Sequence, residues 1–356
     1  MTIEHLVTDA TELLKQLIAT PSFSKEEAGT ALLISQFFET HTIPYKTVGH
    51  NIYVQNKYYD IKKPTILLNS HHDTVKPNKG YTLDPFEPLV KDGKLYGLGS
   101  NDAGGCLVSL IAVFLHYYNE EHLSYNLVLA ATAEEEISGV NGIELALPQL
   151  GAIAFGIVGE PTQMQMAVAE RGLMVIDCTS TGRAGHAARN EGENALYKAL
   201  DDVNWVRNYK FDKVSGLLGE SRLTVTIIET ENKQHNVVPA TCKFVIDARV
   251  NELYAFDEIL EILKANLTSD FKPRSTRMKS SSIKLDHPLV KAGIALGRTY
   301  YGSPTTSDKA LMPFPALKIG PGDSARSHTA DEFIFLDEIE KGIKLYIQLL
   351  DKVLIE

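Results

Sequence analysis

Basic charge, cysteine and long apolar runs are all scarce in this chain. Lysine and arginine total 35 against 45 acidic residues, a formal net charge of −10. That balance supplies no broad basic face, so nucleic-acid binding is not expected. The three cysteines, Cys106, Cys178 and Cys242, are scattered and odd in number. They argue against a disulfide framework or a zinc knuckle, and point to a reducing, cytoplasmic setting. The longest largely apolar run, about Leu107 to Leu115, falls well short of the roughly 20 residues that span a bilayer. Met1 to Leu17 lacks a basic stretch followed by an apolar one, so neither a membrane role nor a secretory leader is expected.

What is present is ample apolar material: 44% of 356 residues, enough for about two domains with cores of their own. The first third alternates helix and strand. Ser24 and Glu27 have capping-box spacing ahead of an apolar helical face of Leu32, Leu33, Ile34, Phe37 and Phe38. Thr65–Asn69, Leu127–Ala131 and Ala152–Val158 read as buried strands, and Gly104–Tyr118 as a helix. Such a pattern predicts an α/β fold, a mostly parallel sheet with helices on both faces.

After Pro161 the texture changes. Strand Val168–Thr179, helix Asn194–Asn208, strands Leu223–Glu229 and Lys243–Val250, helix Asp257–Leu267 and a weaker strand Pro273–Lys279 give the order β-α-β-β-α-β. That is the ferredoxin-like α+β plan. We therefore expect an inserted domain over residues 167–280, within a catalytic domain formed by 1–166 and 281–356. The last part carries a helix over Leu289–Tyr300, a strand over Ala316–Ile319 and a terminal helix with Ile339, Ile343, Tyr346 and Leu350 on one face.

The chemistry gathers where predicted strands end. Thr65–Asn69 runs into Ser70-His71-His72-Asp73, and Leu127–Ala131 into Glu134-Glu135-Glu136. Ala152–Val158 leads into Gly159-Glu160-Pro161, and Ala316–Ile319 toward Gly320-Pro321-Gly322 and His328. Sites of open α/β sheets form at the carboxyl ends of strands. Exposed strand ends are often polar for trivial reasons, but four of them dominated by histidine and carboxylate point to a divalent cation such as Zn²⁺. His71 and Asp73 alternate on extended backbone and share a face, so Asp73 can hold a ring nitrogen of His71. His72 between them faces away and is expected to be packed. The loop Gly97 to Gly105 lacks the G-x-G-x-x-G spacing of a dinucleotide site, and its glycines leave room for Asp102 to approach two ions. In the acidic triplet, neighbouring carboxylates diverge, so one can ligate metal while another serves as a base. No G-x-S-x-G elbow or H-E-x-x-H helix occurs.

Taken together these motifs resemble the M20 family of metallopeptidases and deacylases. The likeness extends to Gly182-Arg-Ala-Gly-His186 and Asn236-Val-Val-Pro. It implies two Zn²⁺ ions (Co²⁺ as a substitute) bridged by Asp102, with His71 and Glu160 completing one site and Glu136 and His328 the other. It further implies that Glu135 is the general base and that Asp73 supports His71. Glu134 is not expected to touch metal. His186 is expected to stabilise the oxyanion across a homodimer made through the inserted domain. Asn236 and Arg249 are expected to hold the substrate. The implied activity is removal of an acetyl group from a small N-acyl amino acid, N-acetylornithine or N-acetylcitrulline. The alternatives are a dipeptidase or carboxypeptidase, a succinyl-diaminopimelate desuccinylase, and a catalytically silent dimeric binding protein. Thr306-Ser307-Asp308-Lys309 departs from the family's common Gly-Thr-Ser-Asp-Arg pattern, in a stretch expected near the substrate.

Overall fold

Strand Thr65–His71 is buried along its whole length, and its residues alternate between two apolar layers. Ile66 and Leu68 face one core, Leu67 the other. The structure is a computed structural model that describes residues 1–189 and 191–355. It divides into two compact units. The larger comprises Met1–Val168, Ser282–Tyr301 and the segment from Ser307 onward; the smaller comprises Ala169–Ser281 and Gly302–Thr306.

In the larger unit the sheet order is Tyr45–Val48, Asn51–Gln55, Asn126–Thr132, Thr65–His71, Ile153–Val158, Ala316–Lys318, Met166–Glu170. The four strands from Asn126–Thr132 to Ala316–Lys318 run parallel, and the flanking pairs are antiparallel. The Gly105–Tyr117 helix is buried almost throughout, packed between the sheet and the helices Ile3–Ile18 and Leu336–Leu354. Each large aliphatic side chain buried there contributes about 1.5–3 kcal/mol. A thinner layer, including Ile143, Leu150 and Met312, covers the opposite face.

The smaller unit carries an antiparallel sheet in the order Arg222–Glu229, Thr241–Val250, Gly172–Thr181, Asp270–Pro273. With helices Ala195–Asn208 and Phe256–Asn266 it follows the β-α-β-β-α-β plan. Asn194 caps the first of these helices by accepting the N–H groups of Leu196 and Tyr197.

Several local expectations change. The run read as one strand over Val168–Thr179 is two, Met166–Glu170 and Gly172–Thr181, broken at Arg171 just beyond the boundary of the units after Val168. The weak strand falls on Asp270–Pro273 rather than Pro273–Lys279. The helix expected to reach Tyr300 spans Pro288–Ala295 and stops ahead of Gly297, whose φ of +76° suits a left-handed terminator. Tyr300–Ser303 is a strand instead. At the start of the chain, Ile3–Ile18 is an amphipathic helix burying Leu6, Leu13, Leu14 and Leu17.

The capping box does not form. Ser24 gives its hydroxyl to Asp73, and Glu27 turns inward to accept the Lys25 and Glu134 N–H groups.

Candidate metal centre

Each of the four parallel strands of the larger unit delivers part of one acidic pocket. Thr65–His71 ends on His71 itself. Asn126–Thr132 leads into Glu134–Glu136, where Glu134 sits at φ 55° and turns the chain. Ile153–Val158 precedes Glu160, and Ala316–Lys318 precedes the segment that carries His328. Asp102 lies in the irregular turn Ser100–Gly104 that feeds the buried Gly105–Tyr117 helix.

Asp102 stands between the two histidines. Its Oδ1 is 3.5 Å from His71 Nε2 and its Oδ2 is 3.7 Å from His328 Nε2. Around His71 Nε2 also lie Glu160 Oε1 at 3.7 Å and Glu135 Oε2 at 3.9 Å. His328 Nε2 meets Glu136 Oε2 at 3.0 Å. Two sets of ligand-type atoms fall within coordinating reach of one another: His71, Asp102 and Glu136, and His71, Glu135 and Glu160.

The His71 ring tests whether these residues suit a cation. Its Nδ1 lies 3.0 Å from the Asp73 main-chain carbonyl. A carbonyl only accepts, so Nδ1 carries the hydrogen and the neutral ring presents a lone pair at Nε2. That Nε2 is buried and has no hydrogen-bond partner among the described residues, although three carboxylates ring it. A lone pair surrounded by acidic oxygens, with no thiolate among them, fits a divalent cation of the zinc type.

The electrostatics favour positive charge at the same place, carried by a proton on Nε2 when no cation is bound. Burial opposes a charged His71, yet the Asp102 and Asp73 carboxylates outweigh it and hold the imidazole pKa well above its usual value. Burial also works against the charged form of Asp102, but contact with His71 keeps this acid below the usual range. Glu135 is pushed well up, first by burial and then by the Glu160 charge. Hydrogen bonding to Glu136 raises His328 to about 9. These shifts mark a pocket crowded with acid and built for added positive charge.

Asp73 does more than face His71. Its carboxylate is 3.4 Å from Nδ1, farther than its own carbonyl. Its shorter bonds come from the Ser24 hydroxyl at 2.7 Å and from the Glu135 and Glu136 N–H groups. His72 is packed as expected, with Nδ1 at the Thr30 hydroxyl and Nε2 at the His50 carbonyl. Glu134 points away to Asn141, which donates to it from both backbone and side chain.

The remaining named residues lie in the smaller unit. His186 is exposed on a two-residue strand paired with Val237–Val238, and its Nδ1 accepts the Ala188 N–H. Asn236 adjoins it, accepting the Ala187 N–H on its carbonyl. Arg249 forks onto Asp247 with bonds of 2.8 and 3.1 Å, and faces Arg222 across the sheet. Arg171 feels both guanidinium groups, which lower its pKa after burial does.

Sequence reasoning gave Ser24 and Glu27 only a capping role and did not single out Glu332. Glu332 is 2% exposed and accepts N–H groups of the Asp102 loop. Burial and the Asp102 charge raise its pKa to about 7. Its place four residues after His328 was the available signal.

Comparison with known proteins identifies the family. The chain is 25% identical over 370 residues to a succinyl-diaminopimelate desuccinylase of Wolbachia pipientis subsp. Culex pipiens, covering 95% of this chain and 92% of the relative. It is 26% identical over 373 residues to an acetylornithine deacetylase of Proteus mirabilis, covering 96% and 95%. The aminopeptidase PepT of Bacillus cereus shares the fold at a TM-score of 0.79 and 17% identity, over 99% of both chains. A dinuclear metal-binding M20 peptidase of Bacillus subtilis does so at 0.73 and 13%, over 99% of both. The sequence profile of peptidase family M20/M25/M40 matches residues 67–352, from the middle of the His71 strand to the terminal helix. With that match spanning every strand that feeds the acidic pocket, the chain belongs to peptidase family M20/M25/M40 and is a metal-dependent hydrolase.

Proposed function

We propose that this protein is a dinuclear zinc amidohydrolase that removes an acyl group from the amino nitrogen of a small amino acid. The observation that carries the reading is Asp102, with one oxygen toward His71 and the other toward His328. Asp102 would be shared by two cations. His71 and Glu160 would complete one ligand set, Glu136 and His328 the other. When bound, the cations supply the Lewis acidity that makes water nucleophilic near neutral pH and polarises an amide carbonyl.

The rest falls to the chain's own side chains. Glu135 takes the proton of the attacking water at its carboxylate and returns it to the departing amine. Its backbone is fixed by Asp73, which keeps that carboxylate at one place through both transfers. His186, reaching across a homodimer, donates to the oxygen that gains charge. Asn236 and Arg249 hold the substrate, Arg249 through guanidinium N–H groups other than the two given to Asp247.

For the acyl group, acetyl on N-acetylornithine or N-acetylcitrulline is the first reading. A second has specific support: the desuccinylase likeness is repeated among the relatives. A panel of N-acetylornithine, N-acetylcitrulline, N-succinyl-diaminopimelate and simple dipeptides, run with zinc-loaded and chelator-stripped protein, decides. Zinc-dependent hydrolysis of an acyl amino acid is expected. Cleavage of dipeptides alone would replace the deacylase reading, and full activity in stripped protein would end the metal reading.

A further inference from the structure

We propose that Glu332 is a positioning residue of the metal centre. Its buried carboxylate sets the backbone that delivers Asp102 and ties it to the segment that delivers His328. The inference rests on Asp102 being a shared ligand.

Glu332 belongs to neither of the two groups of ligand-type atoms. It accepts instead from the loop beside them. Oε1 takes the Asn101 and Asp102 N–H groups, both at 2.9 Å, and Oε2 takes that of Gly99 at 3.1 Å. The Glu332 main-chain carbonyl accepts the Gly97 N–H at 3.0 Å. Four of the six residues from Gly97 to Asp102 are thus fixed by one side chain and its own backbone. Bonds to a charged acceptor are about twice as strong as neutral ones.

Entry of Glu332 into this loop is set by pairing. Phe333–Phe335 runs antiparallel to Lys94–Tyr96, with Phe333 opposite Tyr96, so Glu332 is aligned with the turn that begins at Gly97. A second tie joins the same two segments. Asn101 accepts the Asp323 N–H on Oδ1 and donates from Nδ2 to the Asp323 carbonyl, each at 3.0 Å. The Asp102 loop and the chain leading to His328 are therefore cross-braced at both ends.

The choice of an acid is informative. Glutamine offers one acceptor oxygen, whereas three N–H donors need acceptors on both oxygens. The cost is a second buried carboxylate beside Asp102, a like-charge arrangement that bound cations would relieve. Glu332 should then contribute to cation affinity as well as to loop geometry.

The test uses full-length wild type, Glu332→Gln, Glu332→Asp and Glu332→Ala. Co²⁺ is titrated by calorimetry and by its visible absorption, alongside kcat, KM and metal-free thermal unfolding. Wild type should take two ions per chain. Glu332→Gln should keep its circular dichroism, bind at least one ion about 10–100-fold more weakly and show an altered Co²⁺ spectrum. Its kcat should fall with little change in KM, and Glu332→Asp should lie between it and wild type. Unchanged Co²⁺ affinity and spectrum in Glu332→Gln, with only a lower unfolding temperature, would make Glu332 a fold residue and overturn the inference while leaving the dinuclear reading intact. If wild type binds no ion, both fall. Should Glu332→Ala fail to fold, hydrogen exchange in wild type still decides: slow Gly99, Asn101 and Asp102 amides support the brace, and fast ones overturn it.

Discussion

Asp73 accepts the Glu135 N–H on one carboxylate oxygen at 3.0 Å and the Glu136 N–H on the other at 3.2 Å. The carboxylate two residues after His71 thus fixes the backbone of the proposed base and of the proposed ligand beside it. Asp73→Asn keeps the shape but offers one acceptor where two are needed. We expect it to lose about 1–3 kcal/mol of stability from the unsatisfied buried donor. Turnover should drop about 10–100-fold, as for other supports of metal ligands. Denaturant unfolding and steady-state kinetics measure the two effects; a variant with wild-type turnover would remove Asp73 from the machinery.

Glu135 and Glu136 are neighbours in sequence with different proposed jobs, and substitutions should separate them. Glu135→Gln should retain both cations and lose about 10²–10⁴-fold in turnover, the usual contribution of a general acid–base. Glu136→Gln should instead lose the ion shared with His328. Elemental analysis of both variants beside kcat is the check. Loss of metal from Glu135→Gln and not from Glu136→Gln would reverse the assignment.

Stripping the cations should destabilise the larger unit. Two histidines and five acids are gathered at one sheet edge, and the acids repel when nothing neutralises them. A ligand at 100 times its Kd adds about 2.7 kcal/mol to folding. Calorimetry should therefore show a lower unfolding temperature after chelation, restored by Zn²⁺ or Co²⁺. An identical transition with and without metal would contradict this.

If His186 serves the partner's site, subunits can complement one another. His186→Ala and Glu135→Gln should each be nearly inactive alone. Mixed and allowed to exchange, they should regain activity, because one site in the mixed dimer has both groups. No recovery, or sedimentation as a monomer at working concentration, would place His186 outside the chemistry.

Much of this was legible in the sequence because strands and site share one signal. A run such as Ile66-Leu67-Leu68 is apolar because both sheet faces are covered, and the acids begin where the cover ends. That ground marks the stretches that hold His71, Glu134–Glu136 and Glu160, while the choice of Glu135 and Glu136 within the triplet comes from the family resemblance. Ser24, Glu27 and Glu332 could not be placed in this way, because their partners are main-chain N–H groups or acids far along the chain, which leave no pattern in side-chain identity. Ser24 misled for the same reason: its spacing to Glu27 fits a local cap, while its hydroxyl serves Asp73, 49 residues away. The helix ending near Ala295 was overextended because apolar periodicity continues past a glycine whose handedness only the backbone reveals.

Strand Ala316–Lys318 lies between Ile153–Val158 and Met166–Glu170, so a piece from near the carboxyl terminus fills the middle of a sheet begun far earlier. On that topology the sheet of the larger unit keeps an open position between two earlier strands until the segment from Ser307 onward has been made. The smaller unit has all four strands of its sheet by then and can form first. A nascent chain halted before residue 316 should be a ready client for chaperones, and the catalytic pocket should be the last feature of the molecule to come into being.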